Sequence, residues 1–211
     1  MTELDHVYQA VLEGRADAAR AGVEVCLAAA QSAAVILREA LIPAMEEVGA
    51  RFERQEYYVP EMLIAARAMQ AGLNVIRPIL IANGVKAAGR VVLGTVQGDL
   101  HDIGKNLVGM MLEGAGFEVH DLGTDVTPAK FVEAAKQGAD LVAMSALLTT
   151  TMTKMPAVIG ALTEAGLRRG VKVIVGGAPL TQDFADEIGA DGYAPDASQA
   201  VHVSKALLGS D

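Results

Sequence analysis

The spacing of the apolar residues changes once along this chain, and that change limits what it can fold into. Up to about residue 82 the apolar positions keep a helical period: Leu4, Val7, Tyr8 and Val11, then Ala19, Val23, Cys26 and Leu27, then Val35, Ile36 and Leu41. Pro43 is expected to break a continuous helix and to open a new one through Met45, Val48 and Phe52, because proline lacks an N–H yet suits a first turn. Pro60 likewise opens the last and longest helix, through Leu63, Ala66, Met69 and Leu73 towards Leu80. Four or five helices with short connections predict a small bundle.

Asn83-Gly84-Val85-Lys86-Ala87-Ala88-Gly89 replaces this pattern with small and turn-forming residues. Beyond it, short runs rich in branched apolar residues read as buried strands: Arg90 to Val96, Glu118 to Leu122, Leu141 to Ser145 and Val171 to Val175. Helical stretches lie between them, at Ile103 to Glu113, Pro128 to Lys136, Met152 to Ala165 and Asp183 to Ile188, with a last one at Ala197 to Leu208. Such alternation predicts an α/β, Rossmann-like (flavodoxin-like) doubly wound parallel sheet with helices on both faces. The expected organisation is a helical bundle over residues 1–83, a linker over 84–89 and an α/β domain over 90–211. Ligands of such sheets bind outside the carboxyl ends of the strands, so the site is expected in the loops at Gly98-Asp99, Gly123, Ser145 and Gly176-Gly177.

Composition narrows the function classes. With 211 residues, 52% hydrophobic and 20% charged, the chain can bury a sizeable core. No stretch approaches the roughly 20 apolar residues of a membrane span, and the acidic start Met1-Thr2-Glu3-Leu4-Asp5 does not resemble a secretory signal, so a cytoplasmic location is expected. A net charge of −9, with no basic cluster denser than Arg168-Arg169, argues against nucleic acid as a partner. Cys26 is the only cysteine, which excludes an internal disulfide and a thiolate-based metal site within one chain.

Chemistry concentrates in Gly94-Thr95-Val96-Gln97-Gly98-Asp99-Leu100-His101-Asp102-Ile103-Gly104-Lys105-Asn106, which leaves the first strand and enters the first helix of the α/β half. A neutral imidazole is a good metal ligand, and it binds best when an acceptor holds its second nitrogen. Asp99, two positions before His101, is placed for that. Ser145 ends the adjacent strand, within reach of the carboxylate. One imidazole with no thiolate nearby is too few donors for a bare transition-metal ion, which takes three or four. A macrocycle that brings four nitrogens of its own removes that difficulty. His6, His120 and His202 lack such neighbours, and Met110, Met111, Met152 and Met155 read as core filling.

Asp99-x-His101-x-x-Gly104, then Ser145-x-Leu147, then Gly176-Gly177 resembles the three-part signature of cobalamin-binding domains. The run from Gly94 to Asn106 is similar to cobalamin-dependent methionine synthase and to the corrinoid proteins of methyltransferase systems. Leu41-Ile42-Pro43-Ala44-Met45-Glu46-Glu47-Val48-Gly49 and Phe52-x4-Tyr57-Tyr58-Val59-Pro60-Glu61 resemble the helical cap of those proteins. The resemblance implies that His101 replaces the cofactor's dimethylbenzimidazole as lower axial ligand of cobalt, with Asp99 and Ser145 completing a relay. It also implies that Gly98, Asp102, Ile103, Gly104, Leu147, Thr149, Thr150, Gly176 and Gly177 contact the cofactor or its displaced nucleotide tail. Phe52, Tyr57, Tyr58 and Val59 would face its upper side.

The activity so implied is that of a methyl carrier, which accepts a methyl group on Co(I) and passes it on as methyl-Co(III). Release of His101 favours Co(I), and proton uptake by the Asp99 and His101 pair accompanies it. The cofactor supplies the reactivity and the protein supplies geometry. Partners implied are a substrate-specific methyltransferase, an acceptor methyltransferase using tetrahydrofolate or a thiol, and a reductive activase; such a carrier is not expected to be catalytic alone. A cobalamin-responsive sensor is the alternative, although no DNA-binding segment is visible. The small subunit of an adenosylcobalamin mutase ordinarily lacks the helical cap. A receiver-like phosphorelay domain needs a late-strand lysine, absent from Val173 to Gly177.

Overall fold

The chain enters its first helix, α1 (Glu3–Leu12), through a reciprocal cap in which the Thr2 hydroxyl accepts from the Asp5 N–H and the Asp5 carboxylate accepts from the Thr2 N–H. After α1 come α2 (Ala16–Ala28) and α3 (Ala33–Ile36), the latter capped by Ser32. Pro43 lies in the first turn of a new helix, as expected, but no break precedes it. A π-helical turn, Leu37–Leu41, leads from α3 directly into α4 (Ile42–Glu53) with helical backbone throughout. Proline removes one donor and its ring presses on the carbonyl four residues back, here that of Glu39 inside the π turn; the wider turn accommodates both. The last helix of this part, α5 (Val59–Ala82), has Pro60 in its first turn, as expected.

These helices bury an almost wholly apolar interior, including Val7, Val23, Cys26, Ile36, Leu41, Met62, Met69 and Ile76, with many alanines between them. Alanine at helix contacts lets neighbouring backbones come close and costs no side-chain entropy.

The computed structural model describes residues 1–209 and divides into two compact units, Met1–Ala87 with Glu113–Gly116, and Ala88–Leu112 with the described residues from Phe117 onwards. Ser210 and Asp211, the end of the expected 90–211 domain, lie outside the described residues.

In the second unit five parallel strands follow the order β2-β1-β3-β4-β5: β1 (Arg90–Thr95), β2 (Glu118–Asp121), β3 (Leu141–Ser145), β4 (Lys172–Gly176) and β5 (Gly192–Ala194). The three-residue β5 was not among the four expected strands. Gly192-Tyr193-Ala194 is too short and too poor in branched residues to show a strand pattern. The connecting helices are α6 (Ile103–Gly114), α7 (Pro128–Ala135), α8 (Thr149–Met152), α9 (Met155–Glu164), α10 (Gln182–Glu187) and α11 (Ala197–Leu208). The expected helix Met152 to Ala165 is present as α9, with Pro156 in its first turn, and the one-turn α8 before it was not expected.

A core of Val92, Phe131, Val142, Met144, Met155, Val158, Leu162, Val173 and Val175 fills one side of the sheet. In register, Thr95 pairs with Ser145 and Ser145 with Gly176, so these strands end level with one another. The strand order reverses between β1 and β3, and the loops leaving that pair open the crevice where doubly wound sheets take ligands.

Candidate functional site

The loop from β1 to α6 carries Asp99 and His101 to that crevice. Asp99 is completely buried, whereas about half of the His101 side chain is exposed. One carboxylate oxygen, Oδ1, lies 2.7 Å from His101 Nδ1 and accepts from the His101 backbone N–H at 3.1 Å. The other, Oδ2, accepts from the Leu147 backbone N–H at 2.8 Å and from the Thr151 hydroxyl at 2.6 Å. Burial pushes the Asp99 carboxyl up, but the bonds from Thr151, Leu147 and His101 outweigh it and hold the group well below the usual carboxylate range. An ionised carboxylate only accepts, so His101 Nδ1 carries a proton, and in the neutral imidazole Nε2 is then the nitrogen with the lone pair. Among the described residues Nε2 has no hydrogen-bond partner.

The hydroxyl on Asp99 is thus that of Thr151 and not, as expected, that of Ser145. Ser145 is half-buried at the end of β3, where its backbone is occupied by strand pairing with Thr95 and Gly176, and its side chain makes no hydrogen bond among the described residues. The chain turns after Leu147 into α8, which brings Thr151, six residues after Ser145, back over the carboxylate; its single hydroxyl proton goes to the nearer carboxylate oxygen, with Leu148 O 3.0 Å away. A sequence signal existed in the run Thr149-Thr150-Thr151, but choosing among three hydroxyls needs the geometry of that turn.

The other expected site residues lie in the loops and helix starts that follow β1, β3 and β4. Leu100 and Ile103 are 73% and 72% exposed, and Leu147 and Leu148 are also exposed, an unusual density of bare apolar surface around one imidazole. Asp102 accepts from the Asn106 side-chain amide at 3.1 Å and steadies the first turn of α6. A Cβ on Gly104 would meet nothing within 4 Å, so that turn presents open backbone. Thr149 and Thr150 are exposed at the start of α8. Gly176 and Gly177 are also required by the backbone itself: a Cβ on Gly177 would stand 1.8 Å from the Ala146 carbonyl oxygen, and one on Gly176 would stand 2.8 Å from that of Ala194. They let the ends of neighbouring strands approach one another.

Three further residues escaped the sequence reading. Thr95, fully buried, donates its hydroxyl to the His101 carbonyl at 2.9 Å. The Asp125 carboxylate accepts from the Gly98 N–H at 2.7 Å. Lys105, also buried, pairs with Asp121 and donates to Asn106 Oδ1 at 2.6 Å, tying the start of α6 to the end of β2. In the first unit, the Tyr57 hydroxyl accepts from Arg51 and donates to Leu12 O, under the Arg51 guanidinium at 5.2 Å, so Tyr57 serves that unit's own structure. Tyr58 and Val59 are exposed.

Among the described residues no three His, Cys, Asp or Glu side chains gather into a bare-ion site. His101 instead offers one nitrogen, already oriented, beside exposed aliphatic side chains. That donor set would suit a metal group that brings most of its own ligands and takes a single nitrogen from the protein, which His101 would supply. No helix among the described residues is long and apolar enough to cross a membrane.

Comparison with known proteins adds to this geometry. Residues 89–202 match one family model described as a B12 binding domain, and residues 3–77 match a second model with the same description. Dimethylamine corrinoid protein 2 of Methanosarcina acetivorans is 45% identical over 207 residues, covering 97% of this chain and 95% of the relative. A cobalamin-binding protein from Desulfitobacterium hafniense, of known crystal structure, is 31% identical with a TM-score of 0.80, covering 98% and 99% of the two chains. A chain of the methanol:cobalamin methyltransferase complex from Methanosarcina barkeri superposes with a TM-score of 0.85 at 30% identity, covering 98% of this chain and 80% of that one.

Proposed function

Since this chain belongs to the B12-binding corrinoid proteins of methyltransferase systems, we propose that it holds cobalamin at the carboxyl edge of its parallel sheet and carries a methyl group between partner enzymes. When bound, the cofactor supplies a cobalt centre able to accept and give up a methyl group. His101 is the lower axial ligand in this reading, coordinating through Nε2 in place of the cofactor's own dimethylbenzimidazole. The observation that carries it is the pairing of a buried, ionised Asp99 with His101 Nδ1, which leaves Nε2 free amid the exposed Leu100, Ile103, Leu147 and Leu148.

Each residue then has a physical task. Asp99 fixes the tautomer and plane of the imidazole and raises its basicity as a donor. Thr151 and the Leu147 N–H hold the second carboxylate oxygen, so the carboxylate cannot rotate away when the ring is released. Asp102, Ile103 and Gly104 border the cofactor, with Gly98 before them. Thr149, Thr150, Gly176 and Gly177 stand where the displaced nucleotide tail would enter, and Ser145 lines that entry rather than ending the relay. Residues 84–87, exposed and without regular structure, serve as part of a linker over 84–89.

The likeness to a dimethylamine corrinoid protein and to a chain of a methanol:cobalamin methyltransferase complex favours a substrate-specific methyltransferase as the loading partner. An acceptor methyltransferase, using tetrahydrofolate or a thiol, and a reductive activase complete the cycle. The test is to load the apo-protein with hydroxocobalamin, reduce it to Co(II) and record the electron paramagnetic resonance spectrum with 15N-labelled histidine. Coupling to one histidine nitrogen, abolished in His101→Ala, is the expected result. Coupling that persists in His101→Ala refutes the assignment.

A further inference from the structure

His101 is held from two directions that neither the Asp99 carboxylate nor the bound cofactor provides. Thr95, at the last position of β1, donates its hydroxyl to the His101 carbonyl at 2.9 Å and is fully buried. Across the loop, the segment after β2 closes on the same turn. The Thr95 N–H donates to Gly123 O at 3.0 Å, the Val126 N–H donates to Thr95 O at 2.9 Å, and Val126 bridges Val96 in parallel. Asp125 stands between these contacts and grips the turn twice: its carboxylate accepts from the Gly98 N–H at 2.7 Å, and its own N–H donates to the Asp99 carbonyl at 3.0 Å.

Both sides of that grip are conformationally unusual. Gly98 has φ +85° and Asp125 φ +53°, so each occupies the left-handed region, where glycine is at ease and aspartate is better tolerated than most residues. A non-glycine residue persists there when its surroundings over-determine it. Here the surroundings are the main chain of Gly98 and Asp99, at the start of the loop that carries His101.

We infer that Thr95 and Asp125 are positioning residues that preset the His101 imidazole before any cofactor arrives, Thr95 by anchoring the His101 carbonyl and Asp125 by locking the Gly98–Asp99 turn. The inference rests on His101 as the ligand, but it concerns the loop's order in the cofactor-free chain. Presetting matters because a ligand that must be ordered at the moment of binding loses affinity to that ordering. A preset Nε2 competes better with the cofactor's own base for the lower face of cobalt.

The test uses the full chain with two pairs of variants. Asp125→Gly removes the carboxylate and leaves the left-handed backbone unstrained, and Asp125→Asn restores the acceptor. Thr95→Val removes the hydroxyl at nearly constant volume, and Thr95→Ser restores it. In the apo-protein, nitrogen-15 shifts of the His101 ring report the tautomer. The wild type is expected to show a single Nδ1–H form, Asp125→Gly and Thr95→Val an averaged ring, and Asp125→Asn and Thr95→Ser the wild-type spectrum. In the Co(II)-loaded protein the ratio of histidine-off to histidine-on signal is expected to rise about tenfold in the two disrupting variants, the effect of losing one hydrogen bond to a charged or structurally fixed group. Ring spectra in Asp125→Gly and Thr95→Val identical to wild type overturn the inference. A wild-type Co(II) spectrum without histidine coupling overturns the axial-ligand reading instead, and the apo ring spectra still decide the positioning. Circular dichroism identifies a variant that fails to fold; the inference is then decided by its partner pair, since Thr95 and Asp125 hold different atoms.

Discussion

The two units of this chain use burial for opposite ends. Among the described residues, every buried polar or charged side chain lies in the α/β unit: Thr95, Asp99, Lys105, Thr151, Ser198 and Ser204. The helical unit buries alanine, valine, leucine, isoleucine, methionine and the single cysteine. Burying a carboxylate is costly unless its hydrogen bonds are satisfied, and an aliphatic residue of similar volume in its place is often neutral or stabilising. Stability alone therefore does not account for the first three of those side chains and Thr151. Thr95, Asp99 and Thr151 converge on the loop that presents His101, and Lys105 secures the helix that follows it. Four of the six buried polar side chains thus gather at the loop that carries His101 and at the start of the helix that follows it.

That contrast breaks if the helical unit's interior influences the site as strongly as the polar cluster does. The largest stability loss is expected there from Met62→Ala, which deletes a fully buried side chain and should cost about 2–5 kcal/mol in urea unfolding. The Co(II) spectrum of the folded, loaded variant should be unchanged. Cys26 provides a local probe of the same core. Burial pushes its thiol up, with Glu3 adding in the same direction, so labelling by a disulfide reagent should wait on opening of the helices. Faster labelling in Met62→Ala than in the wild type is the expected outcome; equal rates would place Cys26 outside the cooperative core.

Asp99→Asn reverses the pattern, with a smaller stability change and a larger change at the site. Both carboxylate oxygens face donors, so an amide must turn its NH2 towards His101 on one side or towards Leu147 and Thr151 on the other. One donor-to-donor conflict is unavoidable. A loss of about 1–3 kcal/mol is expected, together with a shift of the cobalamin spectrum towards the histidine-off form. A variant that is destabilised yet fully histidine-on would show that Asp99 supports the fold without governing the ligand.

How far the sequence led can be judged residue by residue. The change of apolar period placed the helical and α/β parts, because core burial imposes the period of the element that does the burying. His101 and Asp99 were legible because two positions on one loop need no long-range geometry. The passage through Pro43 was not, since a π turn leaves no compositional trace and proline ordinarily signals a break. β5 was missed because three residues are shorter than any period. The grip of Asp125 on Gly98 spans two loops from different strands, and only the strand order brings them together.

The hydroxyl that completes the Asp99 contacts gives the finest division within the α/β unit, between Ser145 and Thr151. Thr151→Val should lower stability by about 1–2 kcal/mol, leaving one lone pair of a buried carboxylate without its donor, and should shift the Co(II) spectrum in the same sense as Asp99→Asn but less. Thr151→Ser keeps the donor and should stay close to the wild type in both. Ser145→Ala is expected to do least. Its side chain donates to nothing among the described residues, and its backbone bonds along β1 and β4 survive the substitution, so urea unfolding should move by no more than about 0.5 kcal/mol. Axial coordination should likewise hold. If Ser145→Ala instead shifts the Co(II) spectrum as far as Thr151→Val does, then loading the cofactor moves the Asp99 contact from Thr151 to Ser145. In that event, the hydroxyl expected from the sequence would be the one that holds Asp99 in the loaded protein.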